Sequence, residues 1–402
     1  MLKYIKFTFG TFQEKKLRSF LTLVGIVIGI ALIVTLISLG QGLEDSIKDQ
    51  FQQWGINKIL VTPGGEGSFF GFAQSGIVLS EKDLEVIKKI SGVELASGMI
   101  YKIVPLEFKG QRKYAQLTGL PSDESKKVLE DFQNFKVIKG RELREGDKNK
   151  VIVGEYLYDG KFFDKKVELG DKLEINGEEF EVVGFMGLLG NPQDDSNSYI
   201  PLEKAFELFS EENYNMIFVQ VTSEKDVEKI AEDIKKELRK SRNVEEGQED
   251  FTVQTANQIM DSYSNILNIV QAVLIGLAMI SIIVGGVGIM NTMFTSVLER
   301  TKEIGIMKAI GATQKEIIIL FLIEAGVLGL VGGIIGTFFG VIFSKSLELV
   351  SSKLGYSILT IHLSWNLIIG AILFSFVAGM ISGIIPALRA SKLNIVEALR
   401  YE

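Results

Sequence analysis

The sequence has no cysteine and a single histidine in 402 residues. The first absence excludes disulfides and thiol chemistry. Together the two exclude a zinc site built from His and Cys. A Ser–His–Asp triad would have to use His362, near the outer end of the last apolar run, and no nucleophile motif accompanies it. A phosphate-cradling loop of the form G-x-x-x-x-G-K-[ST] is missing too; Gly160-Lys161-Phe162 lacks the earlier glycine and the hydroxyl. Carboxylates alone remain for calcium. The Asp194-Asp195 pair after Asn191-Pro192 reads as a solvated turn, with calcium the alternative. No catalytic residue, metal ligand or bound cofactor is assigned. The lack of thermolabile cysteine, with plentiful Lys, Glu and Ile, leans toward a thermophilic prokaryote.

Charge is also absent, but only in places. It is missing from Ser19 to Leu43, Ser262 to Leu298, Ile317 to Ser344 apart from Glu324, and Leu354 to Leu388. Each run exceeds the roughly 20 residues that cross a bilayer core of about 30 Å. Elsewhere charge is dense, so that 23% of residues are charged while 47% are hydrophobic and mean hydropathy is +0.25. Such a chain divides between membrane and water. A cleaved leader is the alternative for the first run, since Lys3, Lys6, Lys15, Lys16 and Arg18 precede it. The apolar stretch from Phe20 to Leu39 is too long for that.

The expected fold is a membrane protein with four transmembrane α-helices in a one-plus-three arrangement. A large α+β extracytoplasmic domain is inserted between the first and second. The predicted segments are 1–18 (an amphipathic interfacial start, or simply the basic beginning of the first helix), 19–42 (helix one), 43–261 (the large domain) and 262–298 (helix two with a stalk). They continue as 299–316 (an inner loop), 317–344 (helix three), 345–365 (a short outer loop), 366–388 (helix four) and 389–402 (a tail). Lys and Arg gather at 1–18, at Arg300, Lys302, Lys308 and Lys315, and at Arg389, Lys392 and Arg400. Their bias places both termini and the 299–316 loop in the cytoplasm and 43–261 outside. From Leu43 to Asp261 there are 29 basic and 42 acidic residues. So acidic a domain does not take nucleic acid or anionic lipid as its partner.

Within that domain, Lys58–Thr62, Gly76–Ser80, Met216–Thr222 and Phe251–Thr255 read as strands. Ser80 with Asp83 caps a helix to Ile90, and a long helix runs from Glu224 to Arg242. Lys109-Gly110 and Asn176-Gly177 mark hairpins. These signals predict an α+β subdomain made of discontinuous segments, with a mainly β insert over about 134–202.

Small residues recur at four-residue spacing in the apolar runs: Gly25 and Gly29; Gly332, Gly336 and Gly340; Gly379 and Gly383. Repetition in three runs predicts close helix packing, within a subunit or between two. Glu324 is a carboxylate within an apolar run, with a helix-pairing role or a role in coupling or proton handling open to it. Pro386 marks an end or a kink of helix four.

The richest local signal is VLERTKEIGIMKAI from Val297 to Ile310, followed by Gly311-Ala312-Thr313. Ile304, Met307 and Ile310 share one helical face, with Glu299, Glu303 and Lys308 on others. A short charged helix between two spans is suited to a cytoplasmic partner. ERTKEIGIMKAIGAT, with the third span behind it, resembles the FtsX-like permease domain. PALRASKLNIVEALRYE (Pro386 to Glu402) is similar to the ending of the MacB and LolC/LolE permeases. GQGLEDSIKDQFQQWGINKILVTPG, LGDKLEINGEEFEVVGF and YIPLEKAFELF resemble the MacB-type periplasmic core.

The resemblance implies a non-catalytic permease subunit of an ABC transporter of the mechanotransmission type. A soluble ABC ATPase, which uses ATP and Mg, would engage Glu299, Arg300, Glu303, Ile304, Gly305, Met307, Lys308, Ala309 and Gly311. Two permease copies would pair in the lipid bilayer, the first two helices acting as moving stalks, for export or extraction of a substrate. MacB itself carries its ATPase ahead of the first span; here about 18 residues precede it, so the ATPase is expected on another chain. Two other readings stand beside this one. An FtsX-like scaffold would signal to an envelope protein without moving substrate. A secondary transporter would show inverted repeats and mid-membrane polar pairs, which this pattern lacks.

Overall fold

The computed structural model describes residues 16–55, 57–65, 77–123, 125–128, 136–356 and 360–400. The amphipathic segment expected over Leu2–Phe12 lies outside them. Four of the described helices are long and apolar enough to cross a membrane: α1 (Lys16–Trp54), α6 (Ala256–Glu299), α8 (Gln314–Lys353) and α9 (Trp365–Ser391). The large domain is inserted between the first two. The chain forms two compact units. One takes the chain through Glu44, Ile266–Val350 and Leu359–Glu402, and the other takes Asp45–Asn265 and Ser351–Ile358.

The helices outrun the charge-free segments. At about 1.5 Å per residue α1, α6 and α8 each extend roughly 60 Å, about twice the bilayer core. Charged residues join the helix where they can pair: Lys345 and Glu348, three apart on α8, lie 2.6 Å from each other. The short outer loop expected from residue 345 therefore begins only after Lys353. Pro386 does not end the fourth long helix either, since α9 continues through it to Ser391.

Glycine decides how these helices meet. A Cβ at Gly332 would lie 3.0 Å from Ile26, at Gly336 2.8 Å from the Val27 carbonyl, and at Gly340 2.9 Å from the Ala31 carbonyl. One face of α8 thus rests on α1, each glycine also meeting one of the side chains Ile26, Ile30 and Val34, likewise four residues apart. A second face rests on α9, where Cβ atoms at Gly329 and Gly379 would each come within 2.9 Å of the other's Cα, and Gly383 abuts Ala325. Gly25 and Gly29 meet α6 at Gly285 and Ile282. Every glycine singled out by spacing lies at a helix contact within the subunit.

The inserted domain is built on β1 (Lys58–Pro63), β2 (Val93–Phe108), β9 (Met216–Val221) and β10 (Phe251–Thr255), paired antiparallel in the order β10-β1-β9-β2. Helices α2 (Glu81–Lys88) and α5 (Val227–Arg242) bury Leu84, Ile87, Ile230, Ile234 and Leu238 against one face. Ser80 and Asp83 form the expected capping box. Residues 77–80 do not form a strand; they make a single bridge, Leu79 to Tyr214.

β2 is 16 residues long and serves two partners. Its first half pairs with β9 and its second with β3 (Gln111–Leu120) through the Lys109-Gly110 turn. Beyond lie β4 (Val137–Gly140), β5 (Lys150–Val153), α3 (Glu155–Tyr158), β6 (Lys172–Ile175), β7 (Glu178–Met186), β8 (Ser198–Pro201) and α4 (Leu202–Phe209). Asn176 and Gly177 both have positive φ, 51° and 87°, as a tight hairpin between β6 and β7 requires. The pairings β2-β3-β8-β5-β7-β6 return to β2. Six strands therefore close on themselves around Leu106, Leu117, Val151, Leu173, Phe180 and Ile200.

Asp195 does not sit in a solvated turn. It is 1% exposed, its Oδ1 accepts from the Leu189 N–H at 2.6 Å, and burial raises its pKa above the usual carboxylate range. The loop folds inward because Asp194 N–H bonds Asn191 Oδ1 and Ser196 Oγ bonds the Pro192 carbonyl.

Arg242, at the end of α5, closes the subdomain. It donates to Asp83 at 2.7 Å, to both oxygens of Asp250 and to the Val78 carbonyl. Its hydrogen bonds hold the Asp250 pKa below the ordinary value. Arg242→Leu strands the buried Asp83 carboxylate and is expected to cost about 3 kcal/mol, read as faster hydrogen exchange in α2 and α5. A depressed Asp250 stabilises the fold fully above the unfolded carboxylate range, and the benefit disappears as pH falls through the lower folded value. That acid-side slope in the unfolding midpoint should flatten in Arg242→Leu; an unchanged slope would assign it to other groups. In the membrane unit, Gly379→Leu is expected to separate α8 from α9 and lower thermal stability in detergent, whereas Gly276→Leu, with open space around it, should not.

Candidate functional site

The residues expected to meet a partner form a corner where α6, α8 and α9 end or begin. Arg300 breaks the long helix, and α7 (Thr301–Ala309) follows, closed by Ile310 and by Gly311 at φ 104°. The chain then enters α8, whose first turn is capped reciprocally by Thr313 and Glu316. A short helix, α10 (Ile395–Arg400), comes back to the same place from the end of α9.

Three ties fix this corner from within. Arg300 Nη1 donates to Glu324 at 3.0 Å while its Nε donates to Glu303 at 2.9 Å, and its guanidinium lies 5.7 Å from the Phe321 ring. Glu324, the carboxylate in an apolar run, is thereby an ion-pair partner joining α8 to the start of α7. Lys308 Nζ donates to the carbonyls of Ser391 and Leu393, at 2.9 and 2.6 Å, and so caps the end of α9. Gly305 allows α10 to approach: a Cβ there would lie 2.9 Å from that of Ala398.

These ties sort the sequence-selected residues into two groups. Thr301, Ile304 and Gly305 are buried, Met307 packs partly buried on the helix core, and Arg300 and Lys308 hold the platform. Glu299, Glu303, Ala309 and Gly311 are exposed, and so is Ile310, at 81%. The face shared by Ile304, Met307 and Ile310 is graded: Ile304 is buried, Met307 partly buried and Ile310 exposed. Gly305 admits α10 on one flank, and Ile306 on another is 48% exposed. Beside it α10 exposes Val396 and Leu399. Sequence reasoning missed these three. The period of Val396 and Leu399 around a small Ala398 is the signal that would have found the last two.

The surface is apolar at Ile306, Ile310, Val396 and Leu399 and rimmed by Glu299, Lys302, Glu303, Lys315, Glu316, Glu397 and Arg400, all exposed. Among the described residues no group of His, Cys, Asp and Glu is placed to hold a metal ion.

Two family models match the chain: the MacB-like periplasmic core domain over residues 19–237 and the FtsX-like permease C-terminal over residues 275–395. An uncharacterized ABC transporter permease of Methanocaldococcus jannaschii is 37% identical over 399 residues, covering 99% of this chain and 98% of that one. The ABC transporter permease YknZ of Bacillus subtilis is 30% identical over 412 residues and the whole of both chains. The macrolide export ATP-binding/permease protein MacB of Bdellovibrio bacteriovorus is also 30% identical, over all of this chain and 62% of that longer one. Among solved structures, the periplasmic region of MacB from Actinobacillus actinomycetemcomitans aligns with 55% of this chain and 98% of its own, at 19% identity and a TM-score of 0.45. With both domain models in order and relatives matched from end to end, the chain belongs to the ABC transporter permeases that join a MacB-like periplasmic core to an FtsX-like permease domain.

Proposed function

We propose that this permease couples ATP hydrolysis by a separate ABC ATPase to movement of its extracytoplasmic domain, serving export or extraction of a substrate, as one of a two-fold pair. The observation that carries the reading is the composite corner. Ile306, Ile310, Val396 and Leu399 are exposed together on a platform fixed by Arg300–Glu324 and Lys308. A docking surface transmits force only if it cannot slip relative to the helices behind it, and those ties supply that stiffness. Basic residues flank the corner and the end of α9, which orients it and both termini toward the cytoplasm. ATP and Mg would be bound by the partner.

The pairing reading rests on α6. Ile266, Val270, Val273, Leu277, Ile280, Val284 and Val287 are all exposed along it, spaced alternately by four and three residues. This is the 3.5-residue repeat by which one helix pairs with another of its kind. A second copy of the chain covers such a stripe symmetrically.

Co-expressed with a soluble ABC ATPase, the chain should co-purify with it in detergent. Ile310→Asp should weaken that capture by about tenfold or more while leaving the elution profile unchanged. Capture that ignores Ile310→Asp and Val396→Asp alike would remove the coupling assignment. Because the chain has no cysteine of its own, Leu277→Cys should give a disulfide-linked dimer on mild oxidation. Failure at Val273, Leu277 and Ile280 in turn would place the pairing seam elsewhere.

A further inference from the structure

The closed ring of strands turns Val104, Leu106 and Phe108 of β2 inward, with Ala115 and Leu117 of β3 and Ile175 of β6. Strand alternation sends their neighbours to the outer face. Two of those neighbours are large, apolar and open: Ile103 at 69% and Tyr114 at 66% exposed. They lie together. Tyr114 is directly across from the half-buried Pro105, and Ile103, two residues along β2, is its diagonal neighbour. Side chains of this size, exposed side by side, mark a surface that meets something else.

The charge beside them is set against itself. Glu107 on β2 stands directly opposite Glu174 on β6, and Glu174 directly opposite Glu179 on β7. Like charges so placed destabilise a sheet. Lys172 bonds Glu179, at 2.8 Å. Among the described residues neither Glu107 nor Glu174 forms an ion pair, and Arg112, across from Glu107 on β3, makes none with it. The row therefore ends in two adjacent carboxylates at the edge of the apolar pair.

We propose that this outer face of β2, β3 and β6 docks a polypeptide segment of an extracytoplasmic partner, one that carries apolar or aromatic side chains beside Lys or Arg. A cation set between Glu107 and Glu174 relieves their repulsion, while an apolar group over Tyr114 and Ile103 removes both from water. Tyrosine is among the residues that most often carry the energy of such contacts. β2 is hydrogen-bonded on both sides here, to β3 and to β6, so the segment is read through side chains. A second copy of the chain is the poorer match, since it brings the same acidic row on a domain with 42 acidic and 29 basic residues. Calcium is poorer still: it asks for about six to eight oxygen ligands, and no cluster of three such residues is present among those described. The surface stands whether or not ATP moves the domain.

The test uses the full-length chain in phosphatidylcholine nanodiscs and three labelled peptides of about twelve residues, built from Lys with Phe and Leu, Glu with Phe and Leu, and Lys with Ser. Fluorescence anisotropy, corrected for empty nanodiscs, should show the first binding about tenfold or more tightly than either other. Glu107→Lys/Glu174→Lys and Tyr114→Ser should each weaken that binding about tenfold or more with an unchanged elution profile. Glu228→Lys/Glu232→Lys, the same change of charge at exposed positions on α5, should leave it as it was. No binding by wild type, equal binding of the Lys/Ser peptide, or an equal loss in the α5 variant overturns the proposal. So does self-association of wild type that Tyr114→Ser abolishes, which gives the face to a second copy. Calcium binding that needs Glu107 and Glu174 and does not compete with the peptide overturns it as well.

Discussion

Backbone-to-backbone approach along α8 is the contact on which the membrane half of this protein depends. Apolar side chains gain nothing by leaving lipid for one another, so helices associate there through close packing and hydrogen bonds. α8 offers glycine on two sides, one toward α1 and the other toward α9, and α1 meets α6 through Gly25 and Gly285. Between α1 and α8 the backbones come near enough for Thr35 to donate to the Gly340 carbonyl at 3.2 Å.

The corner of α7 and α10 adds the stiffness that glycine does not give. A carboxylate in an apolar helix is expensive unless paired, and Arg300 turns Glu324 into a fastening between α8 and the break before α7. Lys308 performs the same service for the end of α9. One cation per junction makes a short helix, which would otherwise be marginal, an integral part of two long ones. The apolar residues left outside, on α7 and α10, are then features of a fixed shape.

Much of this was legible in the amino-acid order because it is local or periodic. Four charge-free runs, the Ser80–Asp83 cap, the Asn176-Gly177 turn and the four-residue glycine spacing each carry their signal within one segment. What was illegible depends on distant partners. The closed ring of strands needs parallel pairing of β3 with β8 and of β5 with β7, which no hairpin announces. The pairing of α7 with α10 was not foreseen because it depends on the distant Ala398, which Gly305 admits. Asp195 was placed in water because an Asp-Asp pair after Asn-Pro has the composition of a solvated turn. Its burial arises from hydrogen bonds that loop makes within itself.

The ring of strands has a bearing on recognition. A strand with a free side can accept an extended peptide as one more member of its sheet, and closure leaves most strands here with no such side. Among the described strands, β4 and β10 stand at the two ends of the order. β4 is four residues long and its register with β7 is irregular, features that discourage strand addition. Among the described strands β10 keeps the more regular end of the order, five residues placed immediately before the chain becomes α6.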